Sequence, residues 1–217
     1  MGGTARQVVL FDFDGTLADT MGTIVEVATT VLLEWGRAPE ELGDVSRLVG
    51  PPFPQAFCEV YGLSWDEALD VTERYRRIYT RKGAEAWPVF DGVAPLLGEL
   101  HAAGRRLGVV SSKRVDLVRR GLADNGLEDL FVLCLGRTSD DGSKAELIGE
   151  ALRMLGVEAD DAIYVGDRHY DVEAAHAAGV PCLGVLYGQT APAGELEEAG
   201  AELVCATVAD LRQALLG

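Results

Sequence analysis

Two aspartates, Asp12 and Asp14, directly follow an apolar run from Val8 to Phe11. The run is typical of a strand that is buried on both faces of a parallel sheet. Because side chains two apart on a strand point to the same side, an extended geometry places both carboxylates in one pocket. Two like charges held this close repel each other unless a cation or a proton relieves them. The spacing therefore indicates chemistry at this point, with a solvated Asp-Gly turn as the alternative.

Further polar residues stand where predicted strands end or the next helices begin. Ser111 and Asp167 each follow a predicted strand, Lys144 begins a predicted helix, and Asp171 lies about one helical turn after Asp167. Each has an ordinary alternative as a helix cap, a surface lysine or part of a turn. A cation at the start of a helix nevertheless opposes the helix dipole, so Lys144 needs a compensating anion. Because ligands of open α/β sheets bind beyond the carboxyl ends of the strands, we expect these residues to converge.

Three carboxylates around one oxygen-lined site suit Mg²⁺, a hard cation that keeps several waters and is commonly completed by a substrate phosphate. Zinc would favour histidine or cysteine ligands. With the metal and Lys144 in place, the site becomes electropositive inside an acidic protein. A phosphoryl group is the ligand that such a field favours.

The composition argues against several classes of function. With 35 acidic and 19 basic residues the formal charge is −16, which disfavours nucleic acid polymers and anionic membranes as partners. The 48% hydrophobic content is ample for a core, and the four cysteines form no CxxC pair that would indicate a zinc site. No apolar stretch approaches the roughly 18 residues of a membrane span, and no signal-peptide pattern stands at the N-terminus. We expect a soluble, cytoplasmic protein that is a monomer or a homodimer.

The elements that would position these residues fall into two groups. Residues 18–87 show helical periodicity and no convincing strand, whereas strand and helix patterns alternate from residue 88 onward. This alternation predicts an α/β fold with a doubly wound parallel sheet, formed by residues 1–17 and 88–217, and an inserted helical cap domain, residues 18–87. The predicted strands are 8–11, 106–110, 130–135, 162–165, 181–186 and 201–205, and the predicted helices are 24–35, 64 to about 83, 93–103, 115–125, 143–155, 172–178 and 207–216.

Four short motifs, in this order, resemble those of the haloacid dehalogenase superfamily and specifically of its Mg²⁺-dependent phosphatases. They are Asp12-Phe13-Asp14-Gly15-Thr16, Val109-Val110-Ser111, Lys144, and Gly166-Asp167 with Asp171. The helical stretch lies where members with a small helical cap insert it. Further segments are most similar to phosphoglycolate-phosphatase-type enzymes: Gly50-Pro51-Pro52-Phe53, Asp91-Gly92-Val93, Ser112-Lys113 and Val165-Gly166-Asp167-Arg168.

The resemblance implies a role for each matching residue. Asp12 would be the nucleophile that accepts the phosphoryl group, and Asp14 the acid that protonates the leaving oxygen and then activates water. Mg²⁺ would be bound by Asp12, the Asp14 carbonyl and Asp167, with Asp171 as an outer or water-mediated ligand. The phosphoryl group would be held by Phe13, Gly15, Ser111, Ser112 and Lys144. With Asp12 and Asp14, Ser111 and Lys144 complete the expected catalytic set.

Two regions have weaker predictions. Gly50, Pro51 and Phe53 would contact the leaving group from the cap, although a plain interhelical turn is nearly as good an interpretation. His169 lies within the fourth motif, where a solvent-facing loop histidine is favoured over a general base.

The expected activity is hydrolysis of a small phosphorylated metabolite through an aspartyl phosphate, with phosphoglycolate, a nucleoside monophosphate or a sugar phosphate as substrate. Two alternatives stay open at this point. One is a phosphosugar mutase of the same fold, and the other is a non-enzymatic sensor that accepts a phosphoryl group. Dehalogenation is disfavoured because it has no use for Asp14 or for a metal-binding Asp167.

Overall fold

A parallel sheet forms the centre of the structure, a computed structural model that describes residues 6–138 and 142–217. The strands are β1 (Val8–Phe11), β2 (Arg106–Arg114), β3 (Phe131–Arg137), β4 (Ala162–Gly166), β5 (Cys182–Val185) and β6 (Leu203–Cys205). Their order in the sheet is β3-β2-β1-β4-β5-β6. Strands β2 and β3 therefore lie on one side of β1, and β4, β5 and β6 lie on the other. The strand order reverses at β1, so its carboxyl end is the switch point where ligands of such sheets bind.

Helices cover both faces of the sheet, as the predicted fold class requires. The described residues form α1 (Met21–Trp35), α2 (Gln55–Tyr61), α3 (Trp65–Tyr79), α4 (Val93–Ala102), α5 (Val115–Asp124), α6 (Lys144–Leu155), α7 (His169–Ala177), α8 (Glu195–Glu198) and α9 (Val208–Leu216). One apolar cluster contains side chains of α4, α5 and α9, and a second contains those of α6, α7 and α8. The doubly wound α/β architecture is confirmed.

The apolar run of β1 is buried on both faces. Val9 and Phe11 belong to the cluster with α4 and α5, whereas Val8 and Leu10 belong to the cluster with α6 and α7. Because the run leaves no polar face, β1 is fixed at the centre of the sheet. Just beyond it, the Asp12 N–H donates to the Val165 carbonyl of β4 at 2.9 Å. The backbone on which the first aspartate stands is thus held by the neighbouring strand.

Helices α1, α2 and α3 lie between β1 and β2 in the chain. Their apolar side chains, including those of Val27, Phe57 and Tyr79, belong to the same cluster as Val9 and Phe11 of the sheet. The helical part therefore packs on the sheet through a continuous apolar contact. The division into a core of residues 1–17 and 88–217 and a cap of residues 18–87 stays a prediction.

The structure corrects several predicted boundaries. Helix α2 was not predicted, because its seven residues are too few to show a clear helical periodicity of apolar residues. It starts directly after Pro54, a residue that is common at helix starts. Strand β2 continues to Arg114 rather than ending at residue 110, and α7 begins at His169 rather than at residue 172. Helix α3 follows Ser64, where its start was predicted, and a capping box of Ser64 and Glu67 opens it. It ends at Tyr79 rather than at about residue 83.

None of the helices in the described part of the chain has the length and apolar character needed to cross a membrane.

Candidate active site

Asp12 lies at the switch point of the sheet with 7% of its surface exposed. Its Oδ2 is 3.0 Å from the Nζ of Lys144. Its Oδ1 is buried and has no hydrogen-bond partner among the described residues. An oxygen of this kind is costly to bury unless a further ligand contacts it.

Burial raises the pKa of Asp12 to about 6, with Lys144 acting in the opposite direction and Asp171 adding to the increase. The ionised carboxylate is therefore held in a site that penalises its charge, and one lysine does not fully compensate. A second cation beside Asp12 would favour the ionised form.

Lys144 is the first residue of α6, and its ammonium group lies between two carboxylates. It donates to Asp171 Oδ1 and pairs with Asp12, and all three side chains are at most one-tenth exposed. Burial alone lowers the pKa of Lys144, but Asp12 and Asp171 raise it above its ordinary value. These two aspartates are the compensating anions that a lysine at a helix start requires.

Asp171, on α7, uses its second oxygen to hold the loop after β4. Its Oδ2 accepts from the backbone N–H groups of Asp167 and Arg168 at 3.1 and 3.0 Å. A Cβ added at Gly166 would lie 2.3 Å from the Asp171 Cβ, so this close approach requires glycine. Both Asp171 oxygens are engaged within the protein, which makes it an orienting residue.

Asp167 is 1% exposed and is held by two threonine hydroxyls. Thr16 donates to its Oδ1 at 3.0 Å, and Thr190 donates to its Oδ2. Burial raises its pKa well above the ordinary value, and the neighbouring Asp171 and Asp12 add to the increase. Gly15 has a φ of +75°, and a Cβ there would lie 2.2 Å from Asp167 Oδ2, so Gly15 makes room for this carboxylate.

The aspartates form an oxygen site that fits a divalent cation. Asp12, Asp167 and Asp171 each offer an oxygen, and the three atoms lie within 4.8 Å of one another. The set contains no histidine or cysteine, and one of its members, Asp12, has a buried oxygen without a hydrogen-bond partner within the part of the chain that the structure describes. Such a hard, anionic donor set suits Mg²⁺ and not zinc.

The side-chain carboxylate of Asp14 is not part of this group of oxygens, and it pairs with a different lysine, Lys113. Lys113 Nζ donates to Asp14 Oδ1 at 2.8 Å and to Oδ2 at 3.2 Å, and it also donates to the Tyr79 hydroxyl at 2.9 Å. Sequence reasoning did not assign Lys113 or Tyr79 to the site. A signal for Lys113 was present, since it stands two residues after Ser111 on an extended strand and so faces the same side.

Of the residues predicted to hold phosphate, Ser111 and Ser112 line a cleft beside Asp14, whereas Phe13, Gly15 and Lys144 are not among its lining residues. Ser111 is buried, its Oγ accepts from the Lys113 N–H at 3.2 Å, and both Ser111 and Ser112 line the cleft. The Phe13 ring is fully buried, and a Cβ at Gly121 of α5 would lie 2.4 Å from it. The Phe13 side chain is therefore part of the packing, which leaves only its backbone N–H for a ligand.

A cleft of about 710 Å³, part of it open to solvent, lies between the helical region and the sheet. Asp14, Ser111 and Lys113 line it from the sheet side. The residues predicted to contact the leaving group, Gly50, Pro51 and Phe53, line it from the opposite side. Tyr75 and Tyr79 lie beside them in the lining. The cleft thus joins Asp14 and Ser111 to the predicted leaving-group residues, whereas Asp12, Lys144 and Asp167 are not among the residues that line it.

The loop after β4 also contacts the helical region. Arg168 Nη1 donates to the Val49 carbonyl at 2.5 Å, and its Nε donates to Glu195 Oε1 at 2.8 Å. His169 Nδ1 lies 3.1 Å from the same Glu195 oxygen. His169, the first residue of α7, is therefore paired with a glutamate, and it is not among the residues that line the cleft.

The sequence pattern of the haloacid dehalogenase-like hydrolase family matches residues 9–185. The tyrosine-protein kinase PtkA of Mycobacterium tuberculosis (strain ATCC 25618 / H37Rv) is 35% identical, over 98% of this chain and 74% of PtkA. A 5'-nucleotidase of Pseudomonas aeruginosa is 32% identical, over 95% of this chain and 94% of the nucleotidase. Other relatives are named pyrophosphatase PpaX and phosphoglycolate phosphatase.

Among solved structures, a predicted phosphatase from Clostridium acetobutylicum superimposes with a TM-score of 0.91 at 33% identity. The match covers 98% of this chain and 99% of that one. Fold, site and relatives together define the protein as a phosphatase. The chain belongs to the haloacid dehalogenase-like hydrolase family.

Proposed function

We propose that the protein is a Mg²⁺-dependent phosphomonoester hydrolase that acts on a small phosphorylated metabolite through a phosphoryl group carried by Asp12. The observation that carries this proposal is the state of Asp12. Its carboxylate is buried at the switch point, with Oδ2 paired with Lys144 and Oδ1 without a hydrogen-bond partner in residues 6–138 and 142–217. One of its oxygens lies within 4.8 Å of an oxygen of Asp167.

In the first step the Asp12 carboxylate attacks phosphorus, and the bond between phosphorus and the ester oxygen breaks. Asp14 enters this step protonated, and its proton passes to that oxygen, so the alcohol leaves neutral. The carboxylate that remains is the form that pairs with Lys113. Lys144 balances the charge on the phosphoryl oxygens, and the Ser111 hydroxyl donates a hydrogen bond to one of them.

In the second step water attacks the phosphorus of the aspartyl phosphate. Asp14, now a carboxylate, takes a proton from this water, and the bond between phosphorus and Asp12 breaks. Inorganic phosphate leaves, and both aspartates return to their starting states. One carboxyl group thus serves as acid and then as base.

The carboxylates of Asp12 and Asp167 and the carbonyl of Asp14 would hold the metal. When bound, Mg²⁺ would neutralise charge on the phosphoryl oxygens and on Asp12. Asp171 keeps Lys144 and the loop after β4 in place, and Thr16 and Thr190 orient Asp167.

For the substrate, we propose a small phosphate ester whose leaving group occupies the cleft under residues 18–87, which act as the cap. Phosphoglycolate is the first candidate, and nucleoside monophosphates and sugar phosphates follow. The names of relatives, phosphoglycolate phosphatase and 5'-nucleotidase, support this order of testing. A closed cap over the cleft would exclude water and select the leaving group.

The proposal is tested by measuring phosphate release from these esters with Mg²⁺ and with EDTA. We expect Mg²⁺-dependent release from at least one ester, and loss of that activity in a folded Asp12→Asn variant. Release that persists in EDTA, or in Asp12→Asn at more than a few per cent, would contradict the mechanism. Transfer to a second sugar hydroxyl or to a tyrosine, in place of water, would replace the hydrolase proposal by a transferase.

A further inference from the structure

A chain of contacts links Asp14 to the helical region. Both Asp14 carboxylate oxygens accept from Lys113, at 2.8 and 3.2 Å, and Lys113 also donates to the Tyr79 hydroxyl at 2.9 Å. Asp14 follows β1, Lys113 is on β2, and Tyr79 is the last residue of α3. The proposed acid is thus held by a lysine whose third contact comes from the predicted cap.

Tyr79 itself is rigidly held. It is 0% exposed, it stacks on Tyr75 with ring centroids 5.2 Å apart, and its ring lies 5.9 Å from that of Trp87. The end of α3 is fastened to α5, because Arg120 donates to the carbonyls of Thr80 and Lys82, each at 2.8 Å. The phenol oxygen therefore has a defined position relative to β2.

Lys113 needs such a fixed partner. A lysine side chain has a flexible four-carbon stem. Its ammonium group is a point charge and lacks the planar shape with which an arginine binds a carboxylate through two parallel hydrogen bonds. Here the ammonium group lies 4.5 Å from the centre of the Tyr79 ring and is also bonded to its hydroxyl. Tyr79 thus limits the positions that Lys113, and through it the Asp14 carboxylate, can occupy.

We propose that Tyr79 is a positioning residue that aligns Asp14, through Lys113, for proton transfer to the leaving oxygen. This inference rests on the proposed function, in which the Asp14 proton passes to the ester oxygen as the bond to phosphorus breaks. Proton transfer requires hydrogen-bond reach and alignment, so a small displacement of the carboxyl group is costly. The alignment exists only while α3 lies on the sheet, which makes it a property of the closed cleft.

The test compares two leaving groups in a Tyr79→Phe variant. An alkyl phosphate releases a strongly basic alkoxide and needs a proton, whereas p-nitrophenyl phosphate releases a weakly basic phenolate and does not. Since kcat/KM reports the steps up to phosphoryl transfer, we expect it to fall about tenfold or more for the alkyl ester. For p-nitrophenyl phosphate we expect a change of less than about twofold.

A matched control is Tyr61→Phe. The Tyr61 hydroxyl donates to the Leu42 carbonyl at 2.9 Å, so this variant also removes one tyrosine hydrogen bond from the helical region, away from the cleft. It is expected to leave the ratio of the two kcat/KM values unchanged. An Asp14→Asn variant calibrates the assay, because it removes the proton donor and should show the largest selective loss.

Equal losses for both substrates in Tyr79→Phe, or no loss for either, would overturn the inference. If Tyr79→Phe does not fold, Lys113→Met replaces it and must give the same selective loss. The proposed function fails separately, through activity that survives in Asp12→Asn. A third outcome is that Asp12→Asn loses activity while Tyr79→Phe shows no difference between the two leaving groups. This outcome would support the hydrolase proposal and refute the role of Tyr79.

Discussion

Lys144 and Asp12 form a buried ion pair, with Lys144 Nζ 3.0 Å from Asp12 Oδ2 and both side chains at most 10% exposed. The lysine is the first residue of a helix, and the aspartate directly follows the central strand. Their pairing joins the two elements at the switch point of the sheet. It also means that the site is stable only when the lysine and the carboxylates are present together.

Replacement of this lysine is expected to cost stability as well as activity. Lys144→Met leaves Asp12 and Asp171 buried without a cation, which should lower the free energy of unfolding by about 3 kcal/mol in EDTA. Urea denaturation measures this loss. The control is Lys82→Met, whose partner Glu26 is exposed, so the loss there should be below about 1 kcal/mol. Equal losses in the two variants would show that Lys144 does not compensate buried carboxylates.

Binding of Mg²⁺ should be visible without turnover. Because a ligand that binds only the folded state stabilises it, Mg²⁺ at about 100 times its Kd adds about 2.7 kcal/mol. We expect Mg²⁺ to raise the melting temperature of the wild-type protein and not that of Asp167→Asn. The exposed Asp160→Asn variant serves as the control and should respond like the wild type. An undiminished shift in Asp167→Asn would remove Asp167 from the metal site.

A single methyl group at Gly166 is expected to displace Asp171. The added Cβ would lie 2.3 Å from the Asp171 Cβ, so Gly166→Ala should lower both thermal stability and kcat. In Gly149→Ala, on α6, the added Cβ has no atom within 4 Å. That control should gain about 0.5–1 kcal/mol from helix propensity. Full activity in Gly166→Ala would contradict the close packing described for Asp171.

Loss of the Arg168 contact with Val49 should affect substrate binding. The carbonyl of Val49 precedes Gly50, which lines the cleft, and Arg168 holds it at 2.5 Å. Arg168→Met is therefore expected to raise KM several-fold for substrates with a large leaving group, as measured by steady-state kinetics. Arg212→Met, which breaks an exposed pair with Glu99, is the control. An unchanged KM in Arg168→Met would show that the contact between Arg168 and Val49 does not affect substrate binding in the cleft.

Sequence reasoning succeeded where a local pattern carries the signal. The apolar run of β1 has no polar face, so it predicts the central strand and the position of Asp12 beyond it. The parallel sheet then follows from the alternation of strands and helices. Convergence at the carboxyl edge of the sheet was predicted for Ser111, Lys144 and Asp167. Lys144 lies 3.0 Å from Asp12, and Asp167 has an oxygen within 4.8 Å of one of Asp12, while Ser111 lines the cleft. Their catalytic roles stay predictions.

The residues that were missed depend on contacts between distant segments. Tyr79 has no place in the predicted site, because nothing local indicates that its hydroxyl meets Lys113, 34 positions away. Thr190 lies 23 positions from Asp167, in a loop without a motif. These contacts are set by how the helices pack, which the period of one segment does not reveal.

The central claim is that Asp12 carries the phosphoryl group, and an acid-quenched single turnover tests it most directly. Enzyme is mixed with a phosphate ester and Mg²⁺, quenched before the second step is complete, and digested for peptide mass spectrometry. We predict one added phosphoryl group on the peptide that contains Asp12, assigned to Asp12 and not Asp14 by fragmentation. A phosphoryl group on any other residue, or turnover with no labelled peptide at any quench time, would contradict the mechanism.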